Sequence, residues 1–311
     1  MRLNDCAALL RGWDDILLVT HRSPDGDTVG SAAALCAALR RLGKRAFLYP
    51  NRQINAKLRR FVEPYLAPEA FQPAVCVAVD VAAEHMLAEG FSQKVELCID
   101  HHPSNTRFAA HTLLDAKRAA CGEIVLRLIE TLCGAPDKTE ADLLYIALST
   151  DCGCFQYANT DAHALRSAAK LLEAGADNGA LNQLFFRRVS RTRLKLEGLI
   201  YDNLSFHRDG AVVVALITQE MLRAAGAVEE DLDDLAGLAG RAEGHRVSIT
   251  IRENPDGTSR VSARSGPDFD CCALCAIFGG GGHKMAAGCE IDAAPEKARE
   301  LLLQVVDEVW R

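Results

Sequence analysis

Eight side chains in the first half of the chain have the types and spacings needed to hold divalent cations. His21, Asp25 and Asp27 lie in the segment His21-Arg22-Ser23-Pro24-Asp25-Gly26-Asp27, and Asp80 follows the apolar run 74–79. Asp100-His101-His102 follow the run 95–99, and Asp151 follows the stretch 139–150. The five carboxylates among them, gathered in one cleft, would repel and raise each other's pKa. Divalent cations relieve that repulsion. Carboxylate and imidazole donors without thiolate suit Mn²⁺ or Mg²⁺ rather than structural zinc. The donors outnumber what one ion needs. Two ions about 3.5–4 Å apart with a shared carboxylate fit the set better, and such a pair activates water and neutralises a phosphoryl group. Singly, each piece has a plainer reading: Asp-Gly-Asp as a polar turn, an Asp after a strand as a helix cap, a loop histidine as a satisfied side chain. Their joint occurrence at successive strand ends favours a site.

A second group lies in the C-terminal third. Gly279-Gly280-Gly281-Gly282 leave the backbone bare, so that N–H groups can approach a phosphate. His283 and Lys284 add donors, and Arg264 offers a planar fork suited to a terminal phosphate. Alone, the glycine run reads equally as a flexible loop.

The elements that must position these groups follow from hydrophobic patterning. Apolar runs at 16–20, 46–49, 74–79 and 95–99 read as buried strands, with helices at 28–42 and 83–89. Such alternation predicts an α/β domain whose parallel sheet carries helices on both faces. In open parallel sheets ligands bind beyond the carboxyl ends of the strands, so the acidic strand ends should converge. Helical patterns continue at 118–133, 139–150, 161–174, 177–186 and 190–203. Strands return at 204–208, 211–217, 245–253, 258–265 and 287–291, with helices at 219–225, 229–240, 270–277 and 295–310. This second part predicts a smaller α/β domain. The expected organisation is a metal-binding domain over 1–186, a helical linker over 187–204 and a substrate domain over 205–311. Five positive charges between Arg187 and Lys195 read as a solvated helix face or as a positive rim.

Composition narrows the function classes. A chain of 311 residues with 49% hydrophobic side chains has room for two packed domains. No window of about 18 apolar residues is present, and residues 1–15 lack the pattern of a signal peptide. The expectation is a cytoplasmic protein without membrane contact. The twelve cysteines sit mostly in apolar runs and read as small core residues. The Cys271, Cys272, Cys275 cluster has no matching Cys/His pair elsewhere and reads as packing too. Residues 205–311 hold 11 basic and 18 acidic side chains, and residues 1–204 hold 24 of each. Long nucleic acids are held by basic surfaces that displace counterions. A short anionic substrate gripped by a few aimed groups fits this balance, and a long strand does not.

With these residues in view, the chain resembles the DHH phosphoesterases. His21-Arg22-Ser23-Pro24-Asp25-Gly26-Asp27-Thr28-Val29-Gly30-Ser31 is similar to their first motif, Asp80 to their second, and Asp100-His101-His102 is the triplet that names them. Ser149 to Phe155 resembles the fourth motif, with Cys152 where threonine is common. Ser262-Ala263-Arg264-Ser265 and Gly279 to Gly288 resemble the DHH-associated C-terminal substrate domain. The resemblance implies His21, Asp25 and Asp80 on one metal. It implies Asp27, Asp80, His101 and Asp151 on the other, with Asp80 shared. It implies His102 as charge stabiliser or general acid at the scissile phosphate, with Asp100 orienting an imidazole. Ser31 is expected to be a structural contact. Ser262, Arg264, Gly280, Gly281, Gly282 and His283 would bind substrate.

Size and the absence of added segments resemble the family's stand-alone members. These hydrolyse RNA of 2–5 nucleotides to mononucleotides and 3′-phosphoadenosine 5′-phosphate (pAp) to AMP. Two divalent ions are expected, Mn²⁺ preferred and Mg²⁺ allowed, and a homodimer is compatible with this reading. The resemblance implies in-line attack of activated water on phosphorus, in a cleft closed by the two domains. The alternative substrates are cyclic-di-AMP and its product pApA. An alternative of another class is a non-catalytic nucleotide sensor, which would be expected to lack ligands that are all present here.

Overall fold

The structure, a computed structural model, describes residues 1–232 and 235–310 and divides into two compact units, Met1–Arg188 and Val189–Arg311. The first unit begins with α1 (Leu3–Gly12), β1 (Ile16–Val19), α2 (Gly26–Arg41), β2 (Ala46–Leu48) and α3 (Ala56–Val62). It continues with β3 (Val75–Val79), β4 (Leu97–Asp100), β5 (His111–Leu114), α4 (Cys121–Cys133), α5 (Lys138–Asp151), α6 (Ala162–Glu173) and α7 (Asn178–Asn182). Its five strands form one parallel sheet in the order β2-β1-β3-β4-β5. The strands are apolar and almost wholly buried, as a sheet covered on both faces requires. β1, β3 and β4 are adjacent, so their carboxyl ends, which lead into His21, Asp80 and Asp100, lie side by side.

The helices behind the site pack closely. A Cβ added at Gly30 of α2 would lie 2.3 Å from the Leu143 carbonyl oxygen of α5, and one at Gly122 of α4 would lie 2.8 Å from the Ala147 Cβ. Gly30 therefore lets α2 approach α5, and α2 carries Asp27. Gly30→Ala is expected to cost about 1–3 kcal/mol by overpacking and to lower the melting temperature by several degrees. Thermal unfolding measures this, and an unchanged midpoint would show that α2 and α5 can part without penalty.

The second unit holds α8 (Arg191–Asp202), β6 (Ser205–His207), β7 (Val212–Ile217), α9 (Gln219–Ala225), β8 (Val247–Glu253), β9 (Ser259–Ser265), α10 (Cys271–Ala276), β10 (Gly281–His283), β11 (Ala286–Ile291) and α11 (Pro295–Val309). Its six strands run in the order β10-β11-β9-β8-β7-β6. Only the β7–β8 pair of this sheet is parallel. α10 and α11 cover one face with an apolar core that includes Val214, Ile249, Leu274 and Leu302. α8 and the turns at 235–241 cover part of the other face.

Several local expectations change. The helix expected at 83–89 is a single 3-10 turn, Glu84–Met86. Its flanking backbone is drawn to the end of β1 instead, where Ala88 N–H donates to the Thr20 carbonyl and Arg22 N–H to that of Met86. The helix expected at 229–240 is replaced by short 3-10 turns at 229–232, 235–237 and 239–241, with Asp233 and Asp234 outside the described residues. The expected helix 177–186 is α7 followed by a π-helical turn, Gln183–Arg187. The positive charges around the linker are largely engaged locally. Arg193 pairs with Glu197 and donates to the Asp231 carbonyl, Lys195 donates to the Ala224 carbonyl, and Arg188 to the Gln183 side chain.

All twelve cysteines are free, and nine of them are buried. Burial pushes the Cys36 and Cys98 thiols up to about 12, which suits inert packing groups. Cys271 and Cys275 pack in the core of the second unit, with Cys272 against it. Among the described residues no helix is long and apolar enough to cross a membrane.

Candidate metal centre

Asp25 ends the turn after β1 and caps α2. Its Oδ1 accepts from the Asp27 and Thr28 amides at 3.0 and 3.1 Å, which leaves Oδ2 3.7 Å from His21 Nε2. His21 is buried, and its carbonyl accepts from Asn51 Nδ2. Asp27, one residue into α2, is buried. Its carboxylate accepts from the Cys121 and Gly122 amides at the start of α4 and from Ser31 Oγ. Ser31 is thus a structural contact to a candidate ligand.

Asp80 stands directly after β3 with φ +61°, a left-handed conformation uncommon for a residue with a side chain. Its amide donates to the Ile99 carbonyl, so the β3–β4 pairing extends to it. The side chain is 2% exposed and splits its oxygens between two groups of donors. Oδ2 lies 3.8 Å from His21 Nε2, while Oδ1 lies 3.5 Å from His101 Nε2. His101 Nε2 is also 3.7 Å from Asp27 Oδ2 and 3.8 Å from Asp151 Oδ2. The His101 ring is held from behind by Nδ1, 3.1 Å from the Arg118 carbonyl. Asp151 closes α5, and Asn159 Nδ2 donates to its carbonyl.

The donor atoms of His21, Asp25 and Asp80 lie within 4.8 Å of one another, and so do those of Asp27, His101 and Asp151. Separations of 3.5–3.8 Å are too long for hydrogen bonds. They fall between the cis (about 3.0 Å) and trans (about 4.2 Å) spacings of ligands around an octahedral ion bound at about 2.1 Å, so small side-chain movements would bring them onto one cation. Asp80 Oδ1 is buried without a hydrogen-bond partner among the described residues, an expensive state for a carboxylate oxygen that an ion would relieve. The donors are oxygens and imidazole nitrogens with no thiolate. The residues present therefore fit a pair of divalent cations with Asp80 between them.

The electrostatics agree. Burial, then the neighbouring carboxylates Asp27, Asp25, Asp100 and Asp151, holds Asp80 well above the usual carboxylate range. Burial, with Asp151 and Asp25, does the same to Asp27 against the opposing pull of the α4 amides. Asp100 behaves oppositely. Burial pushes its carboxyl up, but hydrogen bonds from His102 and Asn105 outweigh it and hold it below the usual range. Asp100 Oδ1 lies 2.7 Å from His102 Nδ1, and Asn105 Nδ2 donates to Oδ2 at 2.6 Å. His102 Nδ1 is thereby committed to Asp100, which leaves Nε2 for chemistry. The Asp100 hydrogen bond also raises the His102 pKa, against the lowering effect of burial.

His102→Ala is expected to keep both metals and lose about 10²–10⁴ in rate, the range for general acid–base help. Asp100→Asn should move the alkaline limb of the kcat profile to lower pH. An acid is lost as pH rises through its pKa, and removing the carboxylate lowers that pKa. Rate–pH profiles test both, and normal rates would place His102 in a packing role.

The C-terminal candidates form a separate group in the second unit. Ser262, Arg264, Gly281 and Gly282 line a groove of about 640 Å³ on the β9–β11–β10 part of the sheet. Gly280 and His283 are not among the lining residues. The glycine run is not a free loop: β10 pairs with β11 through Gly281–Gly288, Gly282–Ala287 and His283–Ala286. A Cβ at Gly280 would lie 2.2 Å from the Gly288 carbonyl oxygen. Gly280 is therefore required for close strand packing. Supporting groups that the sequence did not single out are Asn51, Asn105, the Arg118 carbonyl and the amides of Cys121 and Gly122. Backbone donors carry no residue-type signal, and Asn105 looks like any polar loop residue.

Residues 15–148 match the DHH family, N-terminal domain, and residues 209–311 match the DHHA1 domain. The bifunctional oligoribonuclease and PAP phosphatase NrnA of Thermus thermophilus is 34% identical over 297 residues, covering 94% of this chain and 89% of that protein. The protein of the same name from Bacillus subtilis is 28% identical over 307 residues, covering 93% of each. The crystal structure of an exopolyphosphatase-related protein from Bacteroides fragilis superposes with a TM-score of 0.87 at 23% identity, covering 98% of this chain and 96% of that one.

Proposed function

The chain belongs to the DHH family of phosphoesterases, and on that premise we propose that it hydrolyses short oligoribonucleotides to mononucleotides and pAp to AMP. The observation that carries the reading is Asp80, whose two oxygens face separate donor groups while Oδ1 has no hydrogen-bond partner among the described residues. His21, Asp25 and Asp80 would hold one ion, and Asp27, Asp80, His101 and Asp151 the other. When bound, the ions supply activated water and neutralise charge on phosphorus. Mn²⁺ is preferred over Mg²⁺ because two of the ligands are imidazoles.

The chain's own groups do the rest. His102 Nε2 donates a proton to the leaving oxygen, and Asp100, through Nδ1, fixes the ring and favours its protonated form. Arg264 and Ser262 grip a terminal phosphate, with the backbone of Gly281 and Gly282 beside them. In this reading residues 1–186 carry the metals, 187–204 connect, and 205–311 bind substrate. Twelve free thiols suit a reducing cytosol.

The similarity to two proteins named for both activities, over nearly their whole length, favours these substrates over cyclic-di-AMP or pApA. A complete donor set favours catalysis over a silent sensor. The test is a side-by-side comparison of kcat/KM on pAp, pApA, cyclic-di-AMP and RNA of 2–5 nucleotides with Mn²⁺. Highest values are expected for pAp and the short RNA. A clear preference for cyclic-di-AMP would overturn the substrate assignment.

A further inference from the structure

Beyond the terminal-phosphate grip, the same groove has a second basic position. Arg260 lines it at the other end of β9, with Asn254 and Glu290. In the antiparallel pairing of β8 and β9, Arg252 stands directly opposite Arg260. Side chains opposite each other in a sheet project to the same face, so the two arginine side chains leave the sheet side by side, Arg260 into this groove and Arg252 into the cavity beside it. Like charges in that relation destabilise a strand pair. One carboxylate, Glu290, shares their face but makes no ion pair with either arginine among the described residues. Glu290, opposite Arg260 on β11, has Oε1 taken by Asn254 Nδ2 at 2.7 Å. Glu253 accepts from the Gln219 amide. Among the described residues neither Arg252 nor Arg260 makes an ion pair or a side-chain hydrogen bond. This repelling pair sits in a unit with more acidic than basic residues. A second cavity, of about 310 Å³ and also bordered by Asn254, is lined by Arg252 and Arg223.

We infer that Arg252 and Arg260 form a second phosphate-binding position that holds a distal phosphodiester of short RNA and contributes to the binding of oligonucleotides but not of a single nucleotide. Arg260 and Arg264 are four residues apart on one strand, about 13 Å between Cα atoms. The floor between them is Ser262 on β9 and Gly288 on β11, small enough to let a backbone lie close. pAp carries both phosphates on one ribose, a shorter span than the separation of the two strand positions. A chain of three to five nucleotides spans them. This inference rests on the proposed phosphoesterase reading for its substrate, and on the arginine pair for its site.

The test compares wild type with the Arg252→Gln/Arg260→Gln double variant on the full chain. Values of kcat/KM with Mn²⁺ are measured for pAp and for a pentaribonucleotide at two salt concentrations. Calorimetric titration with the same two molecules in chelator gives binding without turnover. Both arginines reach solvent, so the double variant should fold, which circular dichroism checks. The expected result is a loss of at least about tenfold for the pentaribonucleotide in both assays, with pAp changed less than twofold. The salt slope for the pentaribonucleotide should fall by about 0.7 per phosphate contact removed. Unchanged pentaribonucleotide binding, or equal losses on both molecules, would overturn the inference. Selective loss of pentaribonucleotide binding in a protein that cleaves neither molecule would leave the arginine position standing and remove the phosphoesterase reading.

Discussion

Asp80→Ala should abolish hydrolysis and reduce bound metal from two ions to one or none. The carboxylate faces both donor groups, so no other residue can replace it. Losing at least roughly 4 kcal/mol of metal-ion charge stabilisation corresponds to a rate loss of about 10³ or more. Alanine also tolerates the left-handed backbone at this position poorly, so Asp80→Asn is the sharper comparison. Asparagine adopts that conformation readily and removes only the charge. In chelator, Asp80→Asn should melt higher than wild type, because a buried carboxylate repelled by Asp27, Asp25, Asp100 and Asp151 is gone. The same variant should be inactive with Mn²⁺. Greater stability with lost activity is the mark of a site whose charges are arranged for an ion rather than for folding. Metal analysis showing two ions with near-normal turnover would remove Asp80 from the shared position.

Chelation of the wild type should remove all activity, and Mn²⁺ should restore it at least as well as Mg²⁺. The effect should also appear without any assay of chemistry. Ions that bind only the folded state stabilise it by about 2.7 kcal/mol at a hundredfold excess over Kd. For a domain of this size that raises the melting temperature by about 5–10 °C. The gain should vanish in Asp80→Asn. Asp27 and Asp80 are held above the usual carboxylate range without metal, so Mn²⁺ binding should release protons, and more of them as the pH falls toward those raised values. Titration in buffers of different ionisation enthalpy measures this. Activity that persists in chelator would remove the mechanism.

The parallel sheet was legible because β1, β3 and β4 are nearly continuous apolar runs, a pattern that only doubly covered strands show. β5 was missed because His111-Thr112-Leu113-Leu114 has only two apolar residues and gives no apolar run to separate it from a loop. α3 was missed because its start is marked only by the Asn55 side chain, which accepts from the Leu58 amide. The candidate ligands were legible because each sits at a strand end or a helix end, where residue type and position coincide. The hydrogen bonds that aim them were not. Asp27 is held by backbone amides of Cys121 and Gly122, 94 and 95 residues away, and no composition or spacing encodes that. The arginine pair was hidden for a similar reason. Arg252 and Arg260 become neighbours only through the register of β8 on β9.

The central claim, a phosphoesterase built for short substrates, is tested most directly by a length series. Rates on pAp and on RNA of 2, 3, 5, 10 and 20 nucleotides are compared at a fixed concentration of ends and at two salt levels. The second unit has more acidic than basic residues, so it is poorly suited to track a long polyanion by displacing counterions. The account predicts the highest rate per end at five nucleotides or fewer, a steep fall by about 20 nucleotides, and a salt slope no steeper than about −2, matching at most three single-strand phosphate contacts. Equal or faster cleavage of the 20-nucleotide RNA, with a steeper slope, would contradict it and point to a processive exonuclease.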